Sequence, residues 1–300
     1  MLRSTLHRIA QNRALGTALA RSPLQLERFF GGTSVSDAAA VAEKVANDGF
    51  RISMERATGM HDGEPDEVVA DTLAMIGALD DRGIATISEV AVFPHSLGLR
   101  HDPGQAGEHV RQICDAAAAH GIAVMVGMGD DELVTPTLEL VRRLRDSGID
   151  LGVTMQAARR GTQRDCAEFS DGPVRLVKGA YRTQGGDFFT SPIEIDKAYV
   201  RCARAMLQGS KNEVSFATHD ARIIEIVESL ITRYERELRE VEFAYFLGRH
   251  EGQRDRVLRQ GYPVRVYIPF GPQWFERLVD GLAEQPANLT WALRSLLPGA

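Results

Sequence analysis

The chain is poor in the residues that would place it outside the ordinary globular classes. It has three cysteines in 300 residues, Cys114, Cys166 and Cys202, scattered without metal-ligand spacing. That excludes a disulfide framework and predicts no metal site, and it points to a reducing, cytoplasmic setting. No apolar run approaches the ~20 residues of a membrane-spanning helix. The formal net charge of −6 gives no basic surface for a nucleic-acid partner. There is no internal repeat, no low-complexity linker and no glycine-rich dinucleotide fingerprint over Phe50–Met60. The first 26 residues carry Arg3, Arg8, Arg13 and Arg21 and no acid. Two readings fit that segment: an organellar presequence, or an N-terminal helix of the fold with Leu2, Leu6, Ile9, Leu15, Leu19 and Leu24 on its apolar face. The lack of serine richness favours the helix.

What is present is alternation. Eight strand-like runs, Phe50–Met54, Ala85–Val92, Ile122–Met128, Leu151–Gln156, Val174–Gly179, Val214–Thr218, Glu242–Leu247 and Pro263–Phe270, are separated by segments with apolar residues at helical spacing. Helices are expected over Asp37–Asn47, opened by Ser36-Asp37, over Gln105–His120, over Thr137–Ser147, opened by Asp131 and Thr135, and over Asp220–Glu237. Gly49, Gly83, Gly121, Gly148 and Gly261 stand at helix stops. Eight strand–helix repeats predict an α/β fold, a single (β/α)8 barrel. The expected organisation is one domain over 1–300, with an N-terminal helical extension (1–35), the barrel (36–270) and C-terminal helices (271–300) over the barrel mouth. A doubly wound sheet is the rival, and the missing fingerprint counts against it.

In such barrels chemistry sits at the C-terminal strand ends. The polar residues there are Gln156, the stretch from Arg175 through Lys178 and Gly179 to Tyr181, and Thr218-His219-Asp220. Arg175 is a permanent charge on a strand that is otherwise apolar, so it faces an anion or an electron-rich ring. Gly179 lets backbone approach a ligand closely. Taken alone, Arg175 and Lys178 also read as solvated surface residues, His219 as a satisfied core histidine, and Tyr181, Tyr245 and Tyr267 as core aromatics.

In order along residues 150–297 these motifs resemble the proline dehydrogenase family, flavin-dependent barrel enzymes that oxidise proline to pyrroline-5-carboxylate. The residues are Gln156-Ala157-Ala158-Arg159-Arg160 with Thr162 and Asp165-Cys166, then Val174 to Tyr181. Ala217-Thr218-His219-Asp220, Val266 to Gly271, Trp274 and Ala283 to Asn288 complete the match. The resemblance implies FAD as cofactor. It implies that Gln156 meets the flavin pyrimidine edge and that Arg175 lies beside the reacting nitrogen of the ring. Val177, Lys178 and Gly179 would hold the ring and diphosphate side, Thr218 and His219 the adenosine half, and Glu284 the flavin and substrate surroundings. A guanidinium suits that role because it offsets charge that builds on the ring as hydride arrives.

The substrate half of the family pattern is altered. A paired arginine expected six and seven residues after the tryptophan is Asp280 and Gly281, and a tyrosine three residues after it is Arg277. The stretch Ile87–Ala91 has no lysine where the family has one. A third-strand aspartate falls at Gly127, with Asp130 or Asp131 as substitutes. An anionic carboxylate would then meet Asp280 in place of a fork of donors.

The expected function is therefore an FAD-dependent oxidoreductase acting on the C–N bond of a proline-like or other amine, with free proline a poor substrate. Arg175, Tyr245 and Asp130 are the catalytic candidates, and Arg277, Asp280 and Glu284 the substrate-binding ones. Two alternatives stand beside it: a proline dehydrogenase whose Arg277 binds the carboxylate, and a flavin-binding protein without catalysis that serves as a regulatory partner. The electron acceptor is unassigned, and a homo-oligomer or a carrier-protein partner fits either enzyme reading.

Overall fold

Buried parallel strands read as short continuous apolar runs, because both faces are covered. The computed structural model describes residues 26–58, 64–179, 186–210 and 212–274. It places a strand on each of the eight expected runs: β1 Arg51–Arg56, β2 Ser88–Val92, β3 Ala123–Val126, β4 Gly152–Gln156, β5 Val174–Val177, β6 Val214–Ala217, β7 Val241–Phe246 and β8 Val264–Phe270. They pair in sequence order, all parallel, and β8 closes on β1. This is the predicted (β/α)8 barrel. Of the N-terminal helix expected over the first 26 residues only Leu26 is described, where the 3-10 helix Leu26–Phe29 begins, and of the helices expected over 271–300 only the residues to Trp274 are described.

Eight α-helices surround the barrel among the described residues: α1 Val35–Asn47, α2 Pro65–Asp81, α3 Pro103–Ala119, α4 Asp131–Asp146, α5 Thr162–Glu168, α6 Pro192–Gly209, α7 Ala221–Arg233 and α8 Glu251–Arg259. The five glycines read as helix stops all have positive φ, from +67° to +93°, a conformation L side chains avoid. No described helix is long and apolar enough to cross a membrane.

Several boundaries differ from the sequence expectation. The second strand starts at Ser88. Residues 85–87 instead form a 3-10 turn, held by Ile87 N donating to the Ile84 carbonyl and by the Ser88 hydroxyl donating to that same carbonyl at 2.7 Å. The cap of α1 is Ser34, whose hydroxyl accepts from Asp37 N at 3.1 Å and donates to the Asp37 carboxylate at 2.7 Å, so the helix begins at Val35. Helix α4 starts at Asp131, six residues before the expected Thr137. Pro136 lies within it and removes only one backbone donor. Helix α7 ends at Arg233, short of Glu237, because Glu235 takes a left-handed φ of +52°.

Candidate functional site

Side chains alternate between the two faces of a strand, so one fixed residue sets the phase of the whole strand. Charges fix that phase here. Arg175 on β5 donates two parallel bonds to Glu89 on β2, at 2.7 and 2.9 Å, a third to Glu242 on β7 at 3.2 Å and a fourth to the Ser215 hydroxyl on β6 at 3.1 Å. Arg265 on β8 donates to Glu242 at 2.9 Å and to the Ile52 carbonyl at 2.6 Å. Ser53 on β1 donates to Glu89 at 2.6 Å. Such contacts across the barrel require all of these side chains to point inward. All are buried, and they sit in the N-terminal half of their strands. Arg51 extends the cluster to Glu213 at 2.7 Å and Glu242 at 3.1 Å.

Burial by itself would raise the Glu242 carboxyl. Arg265 and Arg175 override it and hold the group at about 2. Burial likewise works against the Arg175 charge, and Glu89 and Glu242 reverse that, leaving its pKa raised.

The same phase brings Ala91, Val177, Ala217, Ala244, Phe246 and Tyr267 to the inner face, above the charge layer. Three are alanines, so room opens where barrel interiors usually carry bulky side chains. The opening is lopsided. Thr154, Val177, Ala217 and Tyr267 are partly accessible and Phe246 is 44% exposed, whereas Glu55 and Ala91 on the opposite arc are buried. Phe246 and Tyr267 meet edge to face, with centroids 5.1 Å apart. The Tyr267 phenolic oxygen is buried with no hydrogen-bond partner among the described residues.

The rim of this mouth carries the expected cofactor residues. Gln156 ends β4, its amide donating to the Gly129 carbonyl at 3.0 Å. Gly179 has φ +93°, and a Cβ there would stand 3.2 Å from Ala158 Cβ and 3.3 Å from Gln156 Cβ. Lys178 reaches Asp196 at 2.6 Å and Asp220 at 2.8 Å. Thr218 is buried, and its hydroxyl accepts from Asp220 N at 3.2 Å. His219 stacks on His250, with centroids 5.2 Å apart. Burial, then Arg249 and His250, drive its pKa well below 6.5, and its Nδ1 has no partner among the described residues.

Other expected residues stand elsewhere. Tyr245 shares the phase of Phe243, which packs on Phe216 and Tyr262. It therefore faces the helix layer, away from the inner face of the barrel, and burial pushes its phenol up. Its oxygen too lacks a partner among the described residues. Asp130 stands at the N-terminal boundary of α4 without a side-chain cap bond and pairs with Arg100 at 2.8 Å on the protein surface. No side chain fits at Gly127, because the Phe93 ring lies 2.5 Å from where its Cβ would be. Tyr181, Arg277, Asp280, Gly281 and Glu284 lie outside the described residues.

Sequence reasoning missed Glu242 and Arg265, and noted in the Glu89 stretch a missing lysine without fixing the direction of Glu89. A signal was there: a charge as second residue of an otherwise apolar strand recurs in Val174-Arg175, Val241-Glu242 and Val264-Arg265. No group of three or more His, Cys, Asp or Glu among the described residues could hold a metal ion.

A closed barrel with small side chains at its C-terminal end and, among the described residues, unpartnered polar atoms around it has the architecture of a barrel enzyme, and the comparisons with known proteins specify which. The protein is of the class of flavin-dependent dehydrogenases acting on a CH–NH donor. The profile of one family, proline dehydrogenase, matches residues 35–275, and the chain belongs to that family. Proline dehydrogenase 1 of Bacillus subtilis is 26% identical over 304 residues, covering 99% of each chain. Proline dehydrogenase of Deinococcus radiodurans is 26% identical, covering 91% of this chain and 90% of its own. Among solved structures, proline utilization A from Bdellovibrio bacteriovorus superposes with a TM-score of 0.78 at 18% identity, over 95% of this chain. The protein of that name from Corynebacterium freiburgense gives 0.73 at 16% identity, over 98%. This chain spans about a third of those two, 36% and 34% of their lengths, and the likeness to them is one of fold.

Proposed function

We propose that this protein is an FAD-dependent oxidoreductase that oxidises a C–N bond of a proline-like ring or another amine, and that free proline is a poor substrate. One observation carries the substrate half. Among the described residues, the four cations Arg51, Arg175, Arg265 and Lys178 of the inner face and rim are each held between two carboxylates, and Arg249 lies over the Phe246 ring beside His219. The carboxylates already hold those four cations, and in sequence Asp280 and Gly281 replace the family's arginine pair. An amine without a free carboxylate, such as an acylated or carrier-bound proline-like ring, suits that surface.

The residues of the mouth fit a flavin. Gly179 leaves the backbone open where a Cβ would crowd Gln156, the small inner-face alanines leave space, and His219 Nδ1 and the Tyr267 hydroxyl are buried polar atoms without a partner among the described residues. Gln156, Val177, Lys178 and Gly179 would hold the ring and diphosphate side, and Thr218 and His219 the adenosine side. Bound FAD would supply the two-electron acceptor for hydride leaving the carbon next to nitrogen. The chain's own part is to orient and to exclude water. The Phe246–Tyr267 pair presents an aromatic wall, and the bonds of Gln156 to Gly129 and of Thr162 to the Gln156 carbonyl, at 2.6 Å, fix the β4 end. Arg175 differs from the expected free countercharge, because its donors are taken by Glu89, Glu242 and Ser215.

The test is anaerobic bleaching of the purified holoprotein by a panel of secondary amines that includes proline. Bleaching by amines lacking a free carboxylate, with proline slower, supports the reading. Losing charge-assisted carboxylate contacts costs on the order of 2–5 kcal/mol, which is roughly thirty- to several-thousand-fold. Efficient reduction by free proline would transfer the case to a proline dehydrogenase that uses Arg277. No bleaching by any amine would leave a non-catalytic flavin-binding partner.

A further inference from the structure

The charge layer beneath the mouth contains three carboxylates, Glu89, Glu213 and Glu242, and three guanidiniums, Arg51, Arg175 and Arg265, linked into one network. It is neutral as a whole. Glu89 has a distinct place in it. Glu242 serves all three arginines, and Glu213 sits at the edge on Arg51. Glu89 gives both oxygens to Arg175 and otherwise accepts only from Ser53, with Arg265 farther off at 3.7 Å. Directly above lie the inner-face alanines 91, 217 and 244 and the accessible side of the mouth.

We infer that Glu89 is a positioning residue that cancels the Arg175 charge under the mouth and thereby holds down the electron affinity of a flavin bound there. The inference rests on the FAD reading of the mouth. Charges in a buried layer act on a ligand through a medium of low effective dielectric and are weakly screened by salt. A neutral floor leaves the electron-rich reduced ring without a countercharge. An amide at position 89 keeps the shape and one acceptor oxygen, and leaves three guanidiniums against two carboxylates. The surplus positive charge favours the reduced ring, which is the direction in which nearby charge tunes a flavin.

The experiment compares the midpoint potential of the FAD-loaded wild type with Glu89→Gln, Arg175→Gln and the double variant. Glu89→Gln is expected to raise the reduced-to-oxidised ratio at fixed potential at least about tenfold, equivalent to ~30 mV for a two-electron couple. It should also bind sulfite, a nucleophile that adds to electron-poor flavins, about tenfold more tightly. Arg175→Gln should shift the ratio the other way. The double variant, with charge balance restored, should return to within about threefold of the wild type. A purely structural Glu89 would lower thermal stability and leave the potential in place. A folded, flavin-loaded Glu89→Gln with an unmoved potential overturns the inference. Should that variant not fold, the step from Arg175→Gln to the double variant carries the same charge change, and no rise across that step overturns it equally. Failure of the FAD reading looks different: a wild type that remains colourless after reconstitution.

Discussion

The two halves of the barrel interior are built on opposite rules. In the N-terminal half every polar side chain is spent. Arg175, Arg265, Glu89 and Glu242 close on one another and on Ser53 and Ser215, and no protein-facing charge is left over. In the C-terminal half three inner-face side chains shrink to alanine, and Tyr267 and His219 keep polar atoms without partners among the described residues. Buried polar groups are normally satisfied within the protein. The lower half obeys that rule because its work is to hold eight strands in register. Under the proposed FAD reading, the upper half departs from it because its partners belong to the ligand. The contrast divides residues that should matter to stability from residues that should matter to binding, and it can be tested from both sides.

The largest effect is expected from opening the lower half. Arg175→Met leaves Glu89 and Glu242 facing each other in a buried layer with one guanidinium fewer. Removing one partner of a buried ion pair costs ~3–5 kcal/mol. Urea denaturation of the apoprotein should show a loss of that size. A change below ~1 kcal/mol would mean that the layer is wet and the contrast false.

Acid should open the same layer next. The Glu242 carboxyl is held at about 2 in the folded protein against a usual value of 4.5. A depressed carboxyl contributes stability that is complete above its unfolded value and is lost as pH falls through its folded one. The loss belongs between about pH 4.5 and 2, and its size is on the order of 3 kcal/mol at ~1.4 kcal/mol per unit. His219 in the upper half acts at higher pH. Its folded pKa lies well below 6.5, so the unfolded chain takes the proton first and stability begins to fall below about pH 6.5. His219→Phe should remove the earlier phase and leave the later one. Chemical denaturation from pH 8 to 2 reads both.

A smaller effect is expected at the rim. Gly179→Ala puts a side chain on a residue with φ +93°, with Ala158 and Gln156 Cβ atoms at 3.2 and 3.3 Å. A left-handed L-residue costs roughly 1–2 kcal/mol. Because the strain falls where the backbone meets the ligand, FAD retention should weaken about five- to thirty-fold, with the thermal midpoint of the apoprotein lowered by only a few degrees. Fluorescence titration with FAD separates the two. Equal retention by the variant would remove Gly179 from the cofactor surface.

The barrel was legible in the sequence because its signals are local. An apolar run such as Val214–Ala217, ended by polar residues and followed by a helical pattern, needs no knowledge of the rest of the chain, and neither does Gly148 at a helix stop. The buried charge layer is a different kind of fact. Glu242 and Tyr245 lie three residues apart on β7, so one faces inward and the other outward, but periodicity alone does not say which. Only the closed sheet, which sets Arg175 opposite Glu89 across 86 residues of chain, decides it. That decision turned Tyr245 toward the helices and revealed Glu242 and Arg265. The surface pairing of Asp130 was out of reach for a similar reason: its partner Arg100 lies in the loop after β2, remote in sequence. Ser34 was passed over in favour of Ser36-Asp37, although its reciprocal bonds with Asp37 are local.

The smallest effects give the finest discrimination, because they differ in sign. Tyr245 and Tyr267 both bury a phenolic oxygen without a partner among the described residues. They stand on opposite faces of the sheet, Tyr245 toward the helices and Tyr267 toward the mouth. Replacing a buried polar group that has no partner by an apolar one of the same shape is neutral or stabilising, so each Tyr→Phe change should raise apoprotein stability by up to ~1 kcal/mol. Function should part them. Tyr267→Phe removes a donor aimed into the mouth and should slow flavin reduction by amines about tenfold, the worth of one ligand hydrogen bond at ~1.4 kcal/mol. Tyr245→Phe should leave reduction within about twofold of the wild type, since Tyr245 shares the outward phase of Phe243 on β7. Stopped-flow reduction with one amine, set beside denaturation of both apoproteins, makes the comparison. If Tyr245→Phe slows reduction and Tyr267→Phe does not, the inward phase assigned to β7 and β8 is wrong, and with it the division of the barrel into a closed floor and an open mouth.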